Sequence, residues 1–281
     1  MSRLLFIGDV VGKPGRKILR SVLPQWKEKY KPDVVIVNVE NLAHGKGVTP
    51  STLAEVDELG VDCFTSGNHI FKKGDLTKEC FDKYDKLIRP ANFGEQFPGH
   101  GYYRFAEPLY PLPNPPPEGE GKTATQQFLV INLNGQVFME KQFDGTVANP
   151  FLAVDQLLLD QSQKNDIIIV DFHAEATSEK VAMGLYLNGR VAGVFGTHTH
   201  IPTADARVLS AGTGYITDVG MVGTRDSVLG VVAQNALTKF LEKGKFVNEM
   251  EEEGMLQVNG VLVETDENQK AIKIEKLYQE I

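Results

Sequence analysis

Cysteine is nearly absent from this 281-residue chain; Cys63 and Cys80 are the only two. Two thiols in a chain this long exclude a disulfide framework and suit a reducing compartment, so a cytoplasmic location is expected. Cys63 lies inside an apolar run and reads as a small buried residue. Long apolar runs are missing as well. No stretch approaches the roughly 18 residues of a membrane span, and no membrane association is expected. Leu4–Ile7 is too short for the core of a signal peptide and is broken at once by Gly8-Asp9. Positive charge is the third shortage, with 29 Lys and Arg against 37 Asp and Glu, a net charge of −8. With no run of basic residues interleaved with aromatics, a stable nucleic-acid complex is not expected. Any substrate phosphate must therefore be held by something local. The sequence also shows no internal repeat.

What is present is an ordinary globular composition, 42% hydrophobic and 23% charged, enough for a sizeable core. Leu4–Ile7, Val34–Val37, Val61–Thr65, Ile167–Val170 and Val191–Phe195 are short apolar runs that read as buried strands. Helical stripes alternate with them. Ile18, Leu19, Val22, Leu23 and Trp26 follow Pro14, with Pro24 as a candidate kink; Thr49-Pro50-Ser51 opens a second helix. Further helices are predicted over 150–163, 178–187 and 233–241. Arg207–Leu209 and Tyr215–Thr217 read as short strands of a second sheet. Val258–Glu264 and Ala271–Leu277 read as a closing antiparallel pair. Asn134-Gly135 predicts a β-hairpin joining Gln127–Leu133 to Gln136–Met139. The six prolines between Pro108 and Pro117 exclude a helix or central strand, leaving an excursion at about 108–122 within one domain spanning 1–281. The alternation indicates an α/β fold.

Each of the five buried runs is followed within three residues by a first side chain able to ligate a metal, and three runs by a second within five. These are Asp9; Glu40 and Asn41; Asn68 and His69; His173; and His198 with His200 in Gly196-Thr197-His198-Thr199-His200. If the last pair stayed extended, both imidazoles would face the same way. Ligands bind beyond the carboxyl ends of strands in open α/β sheets, so the shared position is more telling than any one motif. Imidazole, carboxylate and amide without thiolate suit iron, manganese, zinc or nickel. The donors exceed the needs of one ion, which indicates two, with Glu40 or Asp9 able to bridge on chemistry alone. Two divalent ions, two carboxylates and a hydroxide leave a local charge of about +1, an anion trap in an acidic protein. Metals ~3.5–4 Å apart clamp both oxygens of an in-line displacement at phosphorus and make hydroxide available near neutral pH.

The set Gly8-Asp9, Glu40-Asn41, Gly67-Asn68-His69, His173 and Gly196–His200 resembles the calcineurin-like metallophosphoesterase superfamily, and more closely its YmdB-type phosphodiesterase subgroup. Val11 stands where the superfamily usually carries a histidine, and Glu40-Asn41 where it commonly has an aspartate; in the subgroup these changes go together. The resemblance implies two packed, mixed β-sheets flanked by helices. It implies that Asp9, Glu40, Asn41 and His200 hold one ion, and bridging Glu40, Asn68, His173 and His198 the other. Iron is the first choice of metal and manganese the alternative. His69 would be the proton donor, which its place beside a full ligand set also allows. The implied reaction is hydrolysis of 2′,3′- or 3′,5′-cyclic nucleotides by a metal-bridging hydroxide. The resemblance also allows a homo-oligomer.

Two competing functions share these residues: a phosphomonoesterase or protein phosphatase, and a regulator that senses a nucleotide or RNA without turnover. His44, in a glycine-rich loop, and Arg225 are weak candidates for touching substrate; solvent and a surface salt bridge are their ordinary fates. Arg89-Pro90-Ala91-Asn92 is a candidate cleft mouth. Asp171 and Glu175 flank His173 as candidate acceptors for an imidazole N–H. Gly8–Lys13 is not a phosphate-binding P-loop, being one residue short and followed by Pro14.

Overall fold

Two six-stranded sheets carry the fold in a computed structural model that describes residues 1–106, 126–140, 147–242 and 249–281. The expected proline-rich excursion at 108–122 lies outside the described residues. The first sheet contains β1 (Ser2–Ile7), β2 (Val34–Asn38), β3 (Cys63–Thr65), β10 (Gly223–Thr224), β11 (Leu256–Thr265) and β12 (Ala271–Glu280). Its order is β10-β11-β1-β2-β3, with β12 also paired to β11. The second contains β4 (Tyr102–Ala106), β5 (Gln127–Asn134), β6 (Asp166–His173), β7 (Gly193–Thr197), β8 (Arg207–Val208) and β9 (Gly214–Ile216), ordered β4-β5-β6-β7-β9-β8. Both sheets are mixed: β1, β2 and β3 run parallel beside antiparallel β11, and β5, β6, β7 and β9 run parallel between antiparallel edges.

Strand residues alternate between two buried faces, which is why the sequence shows unbroken apolar runs. Leu4, Phe6, Val34 and Ile36 face Phe128, Val130, Ile167, Ile169 and Phe195 of the other sheet. Phe6 and Phe195 meet with ring centroids 5.2 Å apart. Each such buried side chain stabilises the fold by roughly 1.5–3 kcal/mol. Leu5, Ile7, Val35 and Val37 turn outward, under the stripe Ile18, Leu19, Val22, Leu23 and Trp26 of α1 (Gly12–Tyr30). α2 (Pro50–Asp57), capped by Thr49 through a capping box with Thr52, and α3 (Asp75–Lys83) belong to the same layer. Over the second sheet, α4 (Pro150–Gln161) and α5 (Thr177–Tyr186) supply Val154, Leu158 and Met183 against Leu129, Ile131 and Val170. α6 (Ala233–Glu242) completes the described helices; none is long and apolar enough to cross a membrane.

Two expectations fail here. Asn134-Gly135 does not turn a hairpin: β5 already has β4 on one side and β6 on the other, leaving no edge for Gln136–Met139 to pair with. The amides of Gln136 and Val137 donate instead to the Glu179 carboxylate, at 2.9 and 3.3 Å. Among the described residues, Arg89 and Asn92 serve packing rather than a cleft mouth. Both are buried and brace loops: Arg89 donates to the carbonyls of Pro90 and Phe93, and Asn92 to those of Asn134 and Ala148.

Candidate metal centre

Parallel pairing sets the carboxyl ends of β1, β2 and β3 side by side, and likewise those of β6 and β7. Buried amides join the two sets into one rim. Asn38 Nδ2 donates to Asp171 Oδ2 across the sheets at 2.9 Å, and Ser66 N donates to Asn132 Oδ1 at 3.1 Å. Asp9, Glu40, Asn41, Asn68 and His173 are all buried on this rim, with His198, His200 and His69 partly exposed beside them. Gly67 makes room, because a Cβ there would lie 2.3 Å from His173 Nε2 and 2.4 Å from Glu40 Oε2.

The three rim histidines are each held the same way, by an outward N–H. His173 Nδ1 lies 2.9 Å from Thr197 Oγ1, and that hydroxyl donates to Asp171 Oδ1 at 2.7 Å, so the hydroxyl oxygen must accept from Nδ1–H. His198 Nε2 meets Glu175 Oε2 at 3.0 Å, and His200 Nδ1 meets the Leu229 carbonyl at 3.3 Å. An outward N–H leaves the opposite nitrogen with its lone pair turned inward, the arrangement a metal ligand needs. Inside the rim the acceptors crowd. His173 Nε2 lies 3.0 Å from Asn68 Oδ1, 3.2 Å from Glu40 Oε2 and 3.1 Å from His198 Nδ1. Asp9 Oδ1 is buried with no hydrogen-bond partner, while Oδ2 accepts the His198 amide at 3.2 Å. Acceptors crowded together in a buried site are costly unless a cation lies among them, either a proton on His173 Nε2 or a metal ion in its place. The residues present therefore fit metal ions, and Glu40, His173 and His198 have donor atoms within 4.8 Å of one another.

Glu40 faces two ways. Oε2 serves His173, while Oε1 accepts from Asn41 Nδ2 at 3.0 Å, and that amide nitrogen lies 3.3 Å from His200 Nε2. Asn41 Oδ1 accepts from His69 Nδ1 at 3.0 Å. Rotating this amide by half a turn would aim its oxygen at Glu40 and His200 and its NH₂ at His69. Electrostatics follows the crowding. Burial opposes charge on His173, but Glu40, Asp9 and Asp171 outweigh it and push the imidazole up to about 9. Burial and then the charge of His173 drive His198 down to about 2. Burial would raise Glu40, yet His173 holds it below the usual carboxylate range, while burial raises Asp9 and pushes Asp171 up to about 7.

A sequence model of the YmdB-like protein family matches residues 5–277. The chain belongs to that family. It is 41% identical over 279 residues to the 2′,3′-cyclic-nucleotide 2′-phosphodiesterase of Bacillus subtilis (strain 168), covering 98% of this chain and 96% of that one. A crystal structure of a novel phosphatase from Mycoplasma pneumoniae superposes with a TM-score of 0.86 at 34% identity, over 100% of this chain and 95% of that chain. A 5′-nucleotidase precursor from Thermus thermophilus shares the fold at 13% identity and a TM-score of 0.51, over 99% of this chain and 54% of that chain.

In this YmdB-like chain the expected extended geometry of the histidine pair does not occur. β7 ends at Thr197, and His198 and His200 take φ of 93° and 66°, in the left-handed region that side chains avoid. What holds them there is Asp218, which no sequence signal marked. Its Oδ2 accepts from Thr199 N at 3.1 Å, Thr199 Oγ1 at 2.6 Å and the buried Lys180 Nζ at 2.7 Å. Removing one partner of so buried a pair costs about 3–5 kcal/mol. Glu175 serves an imidazole directly, as anticipated. Asp171 is hydrogen-bonded to His173 by way of Thr197, a residue missed because a threonine in a strand carries no signature.

Arg225 stands apart from the site, paired at the surface with Asp226 and Glu280 at 2.8 and 3.0 Å, so its candidacy for substrate is withdrawn. His44 is exposed but lines the cleft over the rim, with Lys46 and His69. Partners of metal-bound histidines typically govern affinity ~10–100-fold. Thr197→Val should therefore weaken metal retention by about that factor in chelator competition, and Thr197→Ser should restore it.

Proposed function

We propose that this chain is a dinuclear metallophosphodiesterase that opens 2′,3′-cyclic nucleotides, acting in the cytoplasm as one catalytic unit over residues 1–281. The observation that carries this reading is the inward convergence of Glu40, Asn68, His173 and His198, with the orphaned Asp9 Oδ1 beside them. Glu40, Asn68, His173 and His198 would hold one ion; Asp9, Asn41 and His200 would hold the other, sharing Glu40. The donor set, rich in imidazole and oxygen and free of thiolate, suits iron, or manganese in its place. Bound there, two such ions supply a nucleophile near neutral pH and neutralise the phosphoryl oxygens.

The chain's own residues do the rest. Hydrolysis adds water across the phosphorus–O2′ bond and leaves a 3′-monoester, the bond choice that the name of the Bacillus subtilis relative supports. The alkoxide that departs needs a proton, and His69 lines the cleft with Nδ1 turned to the Asn41 amide and Nε2 left for substrate. Burial lowers its pKa, with Glu40 pulling the other way, so the imidazolium is a stronger acid than an exposed histidine.

The name of the Mycoplasma pneumoniae structure favours a second reading, a phosphomonoesterase built on the same residues. Assaying adenosine 2′,3′-cyclic monophosphate beside adenosine 3′-monophosphate separates the two. The diester should be converted to the 3′-monoester, which then accumulates, and a chelator should abolish turnover. Faster hydrolysis of the monoester would overturn the assignment.

A further inference from the structure

The cleft over the rim has two unlike walls. Glu40, Asn41, His69, His198 and His200 form the polar one, and Val11, Leu229, Val231 and Met250 form an apolar shelf facing the same cavity of about 490 Å³. That volume suits a small-molecule ligand, for which such sites span ~300–1,000 Å³. Backbone hydrogen bonds tie the shelf together. Val228 and Val231 exchange backbone hydrogen bonds at 2.9 and 3.0 Å, and Gly230 N donates to Ser227 Oγ at 2.9 Å. The strand-like segment bearing Met250 is bonded to this turn, through Val232 N to Glu249 O and Glu251 N to Gly230 O, both 2.9 Å. Met250 lies against Gly45, where a Cβ would come within 2.4 Å of its Sδ.

Leu229 is the unusual member. It is 43% exposed at the lip of the cleft, takes φ 55°, and accepts from His200 Nδ1 through its own carbonyl. That φ belongs to the tight turn closing Val228 on Val231, and the turn holds the leucine side chain out over the cleft. Exposing an apolar side chain beside a polar reaction centre forfeits burial that a ligand would restore. The positive φ is what the two-residue turn Leu229-Gly230 demands, whereas leaving the leucine side chain exposed adds no packing to the fold.

We infer that the shelf of Leu229, Val231 and Met250, backed by the buried Val11, receives the nucleobase of the substrate; this rests on the phosphodiesterase reading above. The rim fixes where the phosphate lies, and His69 fixes where the departing O2′ lies. The carbon bearing O2′ adjoins the carbon bearing the base, so the base must lie within the same cleft. Its flat, weakly polar face suits a thioether and branched alkyl groups. The shelf side chains offer no hydrogen bond to a base edge, so they grip the face.

Two cyclic diesters test the assignment: adenosine 2′,3′-cyclic monophosphate, and glycerol 1,2-cyclic phosphate, which has the same five-membered diester without a base. Leu229→Ala and Met250→Ala should each lower the ratio of kcat/KM for the nucleotide over the glycerol diester on the order of tenfold, through the KM of the nucleotide. A ratio within twofold of wild type in both variants overturns the shelf. Wild-type protein that hydrolyses neither diester overturns the phosphodiesterase reading instead. Calorimetric binding of adenosine 3′-monophosphate then judges the shelf alone: affinity weakened on the order of tenfold in Leu229→Ala supports it, and unchanged affinity removes it.

Discussion

His69→Ala lowers kcat on adenosine 2′,3′-cyclic monophosphate by roughly 10²–10⁴-fold, the usual worth of a positioned general acid, with KM little changed. The variant keeps its metals, because His69 contributes no donor to the inward cluster; its ring meets Asn41 Oδ1 at 3.0 Å and its amide meets Glu40 Oε2 at 3.0 Å. Leaving-group chemistry distinguishes a lost acid from a damaged site. A ribose alkoxide needs a proton to depart, whereas p-nitrophenolate departs without one. Bis(p-nitrophenyl) phosphate should therefore suffer far less from the substitution. The pH profile adds a second readout. An acid acts only while protonated, so wild-type activity falls as pH rises through the His69 pKa, and burial sets that limb below the ordinary imidazole value. The limb should vanish in His69→Ala. Equal losses on both substrates would assign His69 a structural task.

Glu40→Gln carries the other large effect. Each Glu40 oxygen faces a different group of donors, Oε2 toward His173 and Oε1 toward Asn41 with His200 behind it. Glutamine keeps the shape but halves the anionic charge of the donor set and cannot bridge two cations as a carboxylate does. Metal-ion stabilisation of phosphoryl transfer is worth several kcal/mol, so kcat should fall on the order of 10³-fold or more. The ions bound per chain should fall from two to one or none. Full activity with full metal content in this variant would remove Glu40 from the bridge.

The strands and their functional ends were legible because burial on both faces writes unbroken apolar runs, and each run stops where polar side chains are needed at a rim. Leu4–Ile7 delivering Asp9, and Ile167–Val170 leading to His173, are readable for that reason. Three features were not legible, each for a tertiary reason. The left-handed turns at His198 and His200 depend on Asp218 and Lys180, which reach Thr199 from other elements. The Asn134-Gly135 signal is local, but the strand it follows already has neighbours on both sides. The apolar shelf joins Val11 to Leu229 and Met250, residues without shared spacing or motif. Relay residues such as Thr197 escape detection because their role lies wholly in what they touch.

Anomalous diffraction from crystals of wild-type protein loaded with manganese, with Glu40→Gln as its companion, reaches the central claim most directly. Two peaks per chain are expected on the rim, one among Asn68, His173 and His198 and one among Asp9, Asn41 and His200, with Glu40 touching both. The companion should lose at least one of them. Wild-type crystals with a single peak, or with peaks away from these side chains, would contradict the two-ion site.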